Sequence, residues 1–489
     1  MGRRPLSAVL VTVVAAATGA CTGSSGSVVL KEERTGRIEW TPCSRVECGS
    51  LSVPLDYTRP DGPHITLALA RLPAARKRIG VIFTNPGGPG ASGVDFLRSA
   101  SDAFSEAIRA SFDLVSWDPR GVAASAPVRC VDRLDSFYAV DHDPRTPPAV
   151  ANNVSASRAL VDACRKNSGG LLPYVSTAAT ARDLDAIRAA IGDEQINYVG
   201  FSYGTLVGAV YADLFPRHVR AMVLDGVVDP ARSYADSSID QARSFDADLT
   251  AFFDHCRADA KCAFAGGGDP TAAYDDLARQ IAAEPEPATV NGEHRTLGPG
   301  EFDIGVASAL YAGTSGYDEL AAALAQAARG TGDRMLALAD AYTDRKPGGT
   351  YSNETAAFYA VSCIDAPAPP TVAAVQQLAA QAARVAPHFG ASTVWLGLPC
   401  TLWPVAAVGK VAPIHAPGAP PIVVVGTTHD PATPFSWAQS LAAQLRSGRL
   451  LTVEGESHTA YGRGDECVDG NVDRYVLELA VPAQGTRCA

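Results

Sequence analysis

The sequence around Ser202 constrains the fold more than any other part of the chain. An apolar run of β-prone residues, 196–199, leads into Gly200-Phe201-Ser202-Tyr203-Gly204, and an apolar segment of helical character follows without a break. A strand that passes into a helix through Gly-x-Ser-x-Gly is typical of a nucleophile elbow. The glycines leave room for a tight turn, which lifts the serine hydroxyl and aims the free amides of the helix N-terminus at the reaction centre. We therefore predict that Ser202 is a nucleophile.

The pentapeptide alone is a weak signal, because glycine and serine are common loop residues and an ordinary strand-to-helix turn can carry the same letters. A serine hydroxyl also needs a general base, and the base needs an acidic group that orients it. The choice between a catalytic serine and a structural turn therefore depends on whether the chain supplies these partners in suitable places.

Two loops downstream of Ser202 supply them. Residues 426–431 read Gly-Thr-Thr-His-Asp-Pro after one predicted strand, and residues 455–458 read Gly-Glu-Ser-His after the last one. In the α/β-hydrolase fold the order along the chain is serine, acid, histidine. We predict Asp430 as the acid and His458 as the base. Asp225, which also ends a predicted strand next to the elbow, is the alternative acid.

A loop rich in glycine and proline predicts a further part of the site. Residues 85–93 read Asn-Pro-Gly-Gly-Pro-Gly-Ala-Ser-Gly after a predicted strand, and this composition excludes the interior of a helix or strand. Acyl transfer needs two N–H donors where negative charge develops. We predict an oxyanion hole made of the backbone amides of Gly88 and Tyr203. A phosphate-binding loop is the rival, but no Lys-Ser/Thr follows; a merely structural turn is the other alternative.

Two parts of the chain in which predicted strands and helices alternate flank a middle segment without this alternation. Buried strands that alternate with helices indicate a mostly parallel sheet covered on both faces, which fits an α/β-hydrolase fold. We assign residues 38–232 and 401–489 to the two halves of this core. The alanine-rich segment 233–400 lacks the alternation and is predicted to be an inserted helical cap, or lid.

Two smaller features of the first half carry structural predictions. The polar, proline-bearing stretch 136–156 is expected to be a loop. Asp118-Pro119-Arg120-Gly121 ends the predicted strand 112–117, and we interpret Asp118 with Arg120 as a structural ion pair or a turn former.

The N-terminus predicts export. A basic pair precedes an apolar run, residues 6–17, that is too short for a comfortable transmembrane helix. Small residues then stand before Cys21, as in a bacterial lipoprotein signal, which predicts a signal segment over 1–21, lipidation of Cys21 and a tether over 22–37. Plain secretion by cleavage near Ala20 is the alternative.

The cysteines fit an oxidising compartment. The chain has eleven, so lipidation of Cys21 leaves an even number for disulfides. Short sequence separation suggests the pairs Cys43–Cys48, Cys256–Cys262, Cys363–Cys400, Cys467–Cys488 and, from the remainder, Cys130–Cys164. No C-x-x-C pair or H-E-x-x-H spacing favours zinc, and we expect neither a metal nor a cofactor.

The composition of the chain argues against some classes of binding partner. Apolar residues make up 47% of the chain and charged residues 19%, as in globular proteins. The formal net charge of −11 argues against nucleic acid, and against an anionic membrane surface, as the main partner. We expect membrane contact only through the N-terminal lipid.

Taken together, the motifs resemble a known family. The segments 86–90, 118–121, 200–205, 426–434 and 455–458 are similar, in this order, to those of the secreted actinobacterial tripeptidyl aminopeptidases. These are serine exopeptidases of the α/β-hydrolase fold, related to prolyl aminopeptidases, and mycobacterial cell-envelope serine proteases are similar too. The resemblance extends from about residue 39 to the C-terminal segment and is most specific in the two core halves.

The resemblance implies an exported serine peptidase that releases short peptides, such as tripeptides, from free N-termini through an acyl-enzyme on Ser202. In such enzymes acidic cap residues hold the substrate ammonium, and the candidates here are Glu301, Asp303, Glu354 and Asp365. A cell-envelope carboxylesterase or lipase with the same triad is the alternative function. A non-catalytic, lipid-anchored binding protein on the same scaffold is the third.

Overall fold

A computed structural model describes residues 36–264 and 268–489. The predicted signal segment, the lipidation of Cys21 and nearly all of the predicted tether therefore lie outside the described residues. Within the described ranges, no helix combines the length and the apolar character needed to cross a membrane.

The secondary structure alternates in the two outer parts of the chain and is mainly helical between them. The strands are β1 (Thr41–Cys43), β2 (Val46–Pro54), β3 (His64–Leu72), β4 (Gly80–Asn85), β5 (Phe112–Trp117), β6 (Ile196–Phe201), β7 (Val219–Asp225), β8 (Glu286–Val290), β9 (Glu293–Leu297), β10 (Ile422–Thr427), β11 (Gly448–Val453) and β12 (Arg487–Cys488). The α-helices are α1 (Gly93–Ala100), α2 (Glu106–Ser111), α3 (Asp135–Tyr138), α4 (Pro147–Ser168), α5 (Thr177–Ile191), α6 (Tyr203–Leu214), α7 (Tyr234–Ala258), α8 (Pro270–Ala283), α9 (Pro299–Leu310), α10 (Tyr317–Ala327), α11 (Asp333–Tyr342), α12 (Glu354–Asp365), α13 (Val372–Ala382), α14 (Gly390–Leu396), α15 (Leu398–Thr401), α16 (Phe435–Gln444) and α17 (Glu466–Glu478).

One large sheet organises the core. Its strand order is β1-β2-β3-β5-β4-β6-β7-β10-β11-β12. The first strands pair antiparallel at one edge, and every pairing from β5 to β12 is parallel. The carboxyl ends of these parallel strands meet at one edge of the sheet, where α/β folds place their ligands. The predicted α/β-hydrolase sheet is confirmed.

Helices cover both faces of this sheet, which explains why its central strands are mostly apolar. β6 is buried along its whole length. Tyr198 packs with α5, α6 and α16 on one face, whereas Val199 and Phe201 pack with α1, α2 and α17 on the other. This alternation removes both faces of β6 from water, as expected for a parallel strand.

The segment predicted to be a cap is mostly helical but also contains a hairpin. Helices α7 to α11 surround a separate apolar cluster, and α13 and α14 form a smaller one. Strands β8 and β9 pair antiparallel, which the expectation of a purely helical cap had missed. The turn between them is Asn291-Gly292, with φ of 51° and 78°. Asn-Gly at two positive-φ positions is a strong hairpin signal.

Helix α12 lies inside the segment assigned to the cap but belongs to the core. Tyr359, Ala360 and Ile364 join the apolar cluster on the α5–α6 face of the sheet. Its residues therefore link the cap segment to the sheet. The boundaries drawn at residues 233 and 400 stay an interpretation.

The expected loop over 136–156 is partly helix. Helix α4 begins at Pro147, and the Thr146 side chain caps it by accepting a hydrogen bond from the amide of Ala149. Proline is well tolerated in the first turn of a helix, because the amide it lacks has no partner there anyway. The proline-bearing sequence therefore marks a helix start. The loop prediction was wrong from residue 147 onward and also at 136–138, which belong to α3.

Five disulfides join the described cysteines. They are Cys43–Cys48, Cys130–Cys164, Cys256–Cys262, Cys363–Cys400 and Cys467–Cys488. All five predicted pairs are present, and disulfides of this number are typical of proteins made for an oxidising compartment.

A buried ion pair joins the turn after β5 to helix α5. The fully buried guanidinium of Arg120 donates to both carboxylate oxygens of Asp183, at 2.7 and 2.6 Å. It also donates to the carbonyls of Leu55 and Tyr174, at 2.9 Å each. The ionic partner of Arg120 is thus Asp183, so of the two roles expected for Asp118 and Arg120 the ion pair was wrong.

Removing one partner of this pair should destabilise the protein strongly, because the other charge would stay buried without compensation. We expect Asp183→Ala to lower the free energy of unfolding by about 3–5 kcal/mol. The measurement is thermal unfolding followed by circular dichroism. The control is Asp162→Ala, which breaks the exposed pair with Arg165 and should cost no more than about 0.5 kcal/mol. Equal midpoints for the two variants would contradict this prediction.

Candidate active site

The elbow holds Ser202 in a strained conformation. Its backbone lies at φ 53° and ψ −126°, between the end of β6 and the start of α6. Positive φ costs a residue with a side chain about 1–3 kcal/mol and persists only where the surroundings enforce it. Two hydrogen bonds do so here: the Ser202 amide donates to the Asp225 carbonyl at 2.9 Å, and the Thr205 hydroxyl donates to the Ser202 carbonyl at 2.6 Å.

The glycines of the elbow are required by space. A Cβ atom on Gly200 would lie 2.5 Å from the carbonyl oxygen of Gly204, and one on Gly204 would lie 2.5 Å from the carbonyl oxygen of Asn85. Both distances are shorter than atoms can approach. The sequence pattern therefore reflects a compressed turn that only glycine permits.

The glycine-proline loop lies directly against the elbow. A Cβ on Gly87 would be 2.9 Å from Ser202 Cβ and 3.1 Å from the Tyr203 amide nitrogen. The adjacent Gly88 is therefore near the serine, where the predicted oxyanion donor is needed. The Tyr203 amide is the first of α6 and has no partner within the helix.

Asp118 fixes the far end of this loop. Its carboxylate accepts from the Ser92 hydroxyl at 2.6 Å, from the Val94 amide at 3.2 Å and from the Ala124 amide at 3.1 Å. These contacts hold the start of α1 against the turn after β5. Asp118 thus has the turn-forming role rather than the ionic one.

Asp430 and His458 form a buried pair. His458 Nδ1 lies 3.0 Å from each carboxylate oxygen of Asp430, and the two residues are only 8% and 2% exposed. The Asp430 oxygens also accept from the amides of Ala432 and Thr433 and from the Thr433 hydroxyl, at 2.8–2.9 Å. The carboxylate is therefore fully hydrogen-bonded and its orientation is fixed.

Gly226 brings this pair to the elbow. It follows Asp225, whose carbonyl accepts from the Ser202 amide. A Cβ on Gly226 would lie 3.1 Å from His458 Cε1 and 3.2 Å from Thr433 Oγ1. The imidazole therefore packs on the strand end beside the serine. Among the described residues no hydrogen bond joins Ser202 Oγ to His458, as is common in active sites without substrate.

Asp225, the alternative acid, has a different task. Its Oδ2 accepts from the amides of Ala460 and Tyr461, at 2.9 and 2.8 Å, and thereby shapes the loop after His458. Burial raises the pKa of Asp225 to about 6. Of the two carboxylates weighed from the sequence, Asp430 is the one hydrogen-bonded to His458.

The C-terminal strand anchors the loop before His458. β12 pairs with β11 through Thr452–Arg487 and Val453–Cys488, and the Glu454 amide donates to the Cys488 carbonyl at 2.8 Å. The Cys467–Cys488 disulfide joins this strand to α17. The loop that carries His458 is thus anchored on both sides.

Two cap residues near His458 escaped the sequence analysis. The ring of Tyr311 meets the imidazole edge-on, with centroids 5.3 Å apart, and its carbonyl accepts from the His458 amide at 3.4 Å. Asp248 on α7 is 2% exposed, and neither of its carboxylate oxygens has a hydrogen-bond partner. Burial and the nearby charges of Glu456 and Asp430 raise its pKa to about 8. No local motif marks either residue.

The four acidic candidates for ammonium binding occupy different places. The carbonyl oxygen of Glu354 would touch a Cβ on Gly90, so this residue adjoins the glycine-proline loop. Burial raises the pKa of Glu354 to about 7. Asp365 accepts from the Thr177 amide at 2.9 Å. Burial raises the pKa of Glu301 to about 7 and that of Asp303 to about 8. Within the described residues, no hydrogen bond or packing contact joins either of these two residues to the Ser202 elbow.

One cluster in the described part of the chain has metal-ligand composition. It contains Asp465, Cys467 and Cys488. The two cysteines form a disulfide with each other, so neither can supply the thiolate that binds a metal.

Comparisons with known proteins identify the family. Residues 80–266 match the family described as alpha/beta hydrolase fold, and residues 386–488 match that described as TAP-like protein. "Serine protease Hip1" of Mycobacterium tuberculosis is 36% identical over 98% of this chain and 96% of its own length. The chain belongs to the α/β-hydrolase family that carries this TAP-like region.

Other relatives in this α/β-hydrolase family have different names. "Carboxylesterase B" of Mycobacterium tuberculosis is 37% identical over 90% of this chain and 86% of its own length. "Tripeptidyl aminopeptidase" of Streptomyces coelicolor is 33% identical over 92% of this chain and 86% of its own length. The family resemblance inferred from the motifs is confirmed.

The position of Gly226 yields a test of the site. Gly226→Ala should displace His458, because the new methyl group needs space that Cε1, Thr433 Oγ1 and Thr459 Cγ2 occupy. We expect kcat to fall by about 10–100-fold, the usual cost of misplacing a reacting group by up to 1 Å. Steady-state hydrolysis of an activated ester or anilide measures the effect.

The matched control is Gly192→Ala. Gly192 also has positive φ, 89°, but a Cβ there would meet nothing within 4 Å. Both variants carry a backbone strain of about 1–2 kcal/mol, and only Gly226→Ala should lose activity. Equal activity of the two variants would rule out this positioning role for Gly226.

Proposed function

We propose that this protein is a serine peptidase in which Ser202 is the nucleophile, His458 the general base and Asp430 the residue that orients the base. The observation that carries the proposal is the buried Asp430–His458 pair at the strand edge where the strained Ser202 stands. A histidine with a purely structural role would not need a partner carboxylate whose two oxygens are both fixed by further hydrogen bonds.

In the proposed reaction, Ser202 Oγ attacks the scissile carbonyl while His458 takes its proton. The backbone amides of Gly88 and Tyr203 stabilise the tetrahedral oxyanion. When the carbon–nitrogen bond breaks, His458 gives the proton to the leaving amine and an ester on Ser202 remains. Water, deprotonated by His458, then attacks this ester and releases the carboxylic acid, with the proton returned to Ser202.

The proposed substrates are peptides with a free amino terminus, cleaved to release short fragments such as tripeptides. The relatives named serine protease and tripeptidyl aminopeptidase support a peptide substrate. Glu354 supports the free terminus, because its backbone lies against Gly90 of the predicted oxyanion loop and its half-buried carboxyl is suited to an ammonium group. We propose Glu354, among the four candidates, as the residue that holds the substrate ammonium.

An ester substrate is the second candidate. It is favoured by Phe358, which is 40% exposed and whose amide would lie 3.2 Å from a Cβ on Gly90. An exposed aromatic side chain on a residue whose backbone adjoins the predicted oxyanion loop suits the acyl chain of an ester, and one relative is named a carboxylesterase. The two candidates share the triad and differ in the leaving group.

We also propose that the protein acts outside the cytoplasm, held at the membrane by lipid on Cys21. The five disulfides support an oxidising compartment. The lipid itself rests on the sequence around Cys21.

Tripeptide anilides with free or acetylated N-termini, compared with a short-chain ester, test the proposed function. We expect turnover of the free tripeptide anilide, and we expect Ser202→Ala and His458→Ala to lower kcat at least about 10³-fold, as for other serine triads. Asp430→Asn should lower kcat less than Ser202→Ala does.

Turnover of the ester alone would overturn the peptidase proposal in favour of the esterase. Equal turnover of free and acetylated peptides would contradict the requirement for a free terminus. A fluorophosphonate probe that fails to label Ser202 in the folded protein would exclude both hydrolytic functions.

Glu354→Gln tests how the substrate terminus is held. We expect KM for the free tripeptide anilide to rise by about tenfold or more, the value of one charge-assisted hydrogen bond, with little change for the acetylated one. Because the pKa of Glu354 is raised to about 7, the wild-type carboxyl becomes neutral as pH falls below 7. The wild-type KM should therefore rise through that range, and this rise should be absent in Glu354→Gln. Glu319→Gln, at an exposed cap position, is the control, and an equal effect there would contradict the assignment.

A further inference from the structure

A chain of hydrogen bonds leads from the end of α12 to the residue after the nucleophile. The Tyr203 hydroxyl lies 2.5 Å from Thr177 Oγ1. The Thr177 hydroxyl in turn donates to Asp365 Oδ2, while the Thr177 amide donates to Asp365 Oδ1 at 2.9 Å. Thr177 and Tyr203 are only 3% and 6% exposed, so solvent does not compete strongly for these bonds.

The direction of this chain follows from the number of protons. Thr177 has one hydroxyl proton and gives it to the Asp365 carboxylate, so the Tyr203 hydroxyl must donate to Thr177. Burial raises the pKa of Asp365 to about 6, which leaves it ionised at neutral pH. A carboxylate at the end of the chain polarises both hydroxyl groups and strengthens both bonds.

The chain holds a residue whose backbone matters for the proposed chemistry. Tyr203 is the first residue of α6, and its amide is the predicted second oxyanion donor. Its ring is packed in the cluster on the α5–α6 face, and its hydroxyl is tied to Thr177. Fixing both the ring and the hydroxyl limits how far the backbone amide can rotate.

The other end of α12 touches the other half of the predicted oxyanion hole. The Glu354 carbonyl and the Phe358 amide would lie 2.5 and 3.2 Å from a Cβ on Gly90. The Asn353 side chain anchors this helix end, since it donates to the Gly121 carbonyl and accepts from the Ala123 amide at 2.8 Å each. One helix therefore contacts the loop of Gly88 and, through Thr177, also Tyr203.

We infer that Asp365 and Thr177 are positioning residues for hydrolysis, which set the Tyr203 amide through its hydroxyl while the start of α12 supports the loop of Gly88. This inference rests on the proposed function. On this inference the Thr177 hydroxyl helps to stabilise the oxyanion of the transition state. It does not contribute to binding of the substrate in the ground state. Asp365, one of the candidates for ammonium binding, then has Thr177 as its partner and does not bind the substrate.

Thr177→Val and Thr177→Ser form a matched pair for the test. Valine keeps the shape and removes the hydroxyl, whereas serine keeps the hydroxyl. We expect Thr177→Val to lower kcat by about tenfold or more with KM within about twofold of wild type, the pattern of an interaction made in the transition state only. Thr177→Ser should stay within about twofold of the wild-type kcat.

A peptide aldehyde gives a second readout. Its carbonyl carbon bonds to Ser202 Oγ, and the resulting hemiacetal oxygen occupies the position of the oxyanion. Thr177→Val should weaken aldehyde inhibition by the same factor as it lowers kcat/KM. Tyr203→Phe, which removes the other hydroxyl, should lose as much, and the double variant should lose no more than either single one. If Thr177→Val fails to fold, Tyr203→Phe with the aldehyde supplies the same comparison.

The outcomes separate this inference from the proposed function. Wild-type protein that neither hydrolyses the substrates nor reacts with the fluorophosphonate overturns both. Active wild type with Thr177→Val unchanged, or with KM raised at constant kcat, overturns only the positioning role. Equal losses in Thr177→Val and Thr177→Ser would do the same, because the hydroxyl could not then be the cause.

Discussion

The strained backbone of Ser202 is the constraint on which the rest of the site depends. A side chain at φ 53° between a strand and a helix is stable only where neighbouring backbone is pressed against it. β7 supplies the hydrogen bond to the Ser202 amide, and the loop after β4 closes over the turn at distances that only glycine allows. The strand order, with β6 between β4 and β7, makes these contacts possible.

Electrostatics then select one carboxylate for the imidazole. Asp430 has amide and hydroxyl donors on both oxygens in addition to His458. Asp248 lies nearby without donors, and its raised pKa keeps it neutral at pH 7. Asp225 is occupied by two backbone amides. Asp430, the carboxylate hydrogen-bonded to His458, is therefore the one with the most hydrogen-bond donors on its oxygens.

The sequence predicted what depends on local spacing and missed what depends on distant contacts. Ser202, Asp430 and His458 stand in motifs of a few residues at strand ends, and the sheet brings the last two together as expected. The Asn291-Gly292 hairpin and the helix start at Pro147 had local signals that were outweighed by the alanine-rich and polar composition around them. The Arg120–Asp183 pair joins residues 63 positions apart, and no local pattern announces it.

The anchoring of the His458 loop by β12 has a consequence for the order in which the molecule is completed. A chain emerging from its N-terminus can assemble β4 to β7, with the serine in place, long before Arg487 and Cys488 exist. β12, the strand that anchors the His458 loop, follows every other strand of the sheet along the chain. Hydrolytic capacity is thus withheld from the growing chain until β12 has been made and has paired with β11.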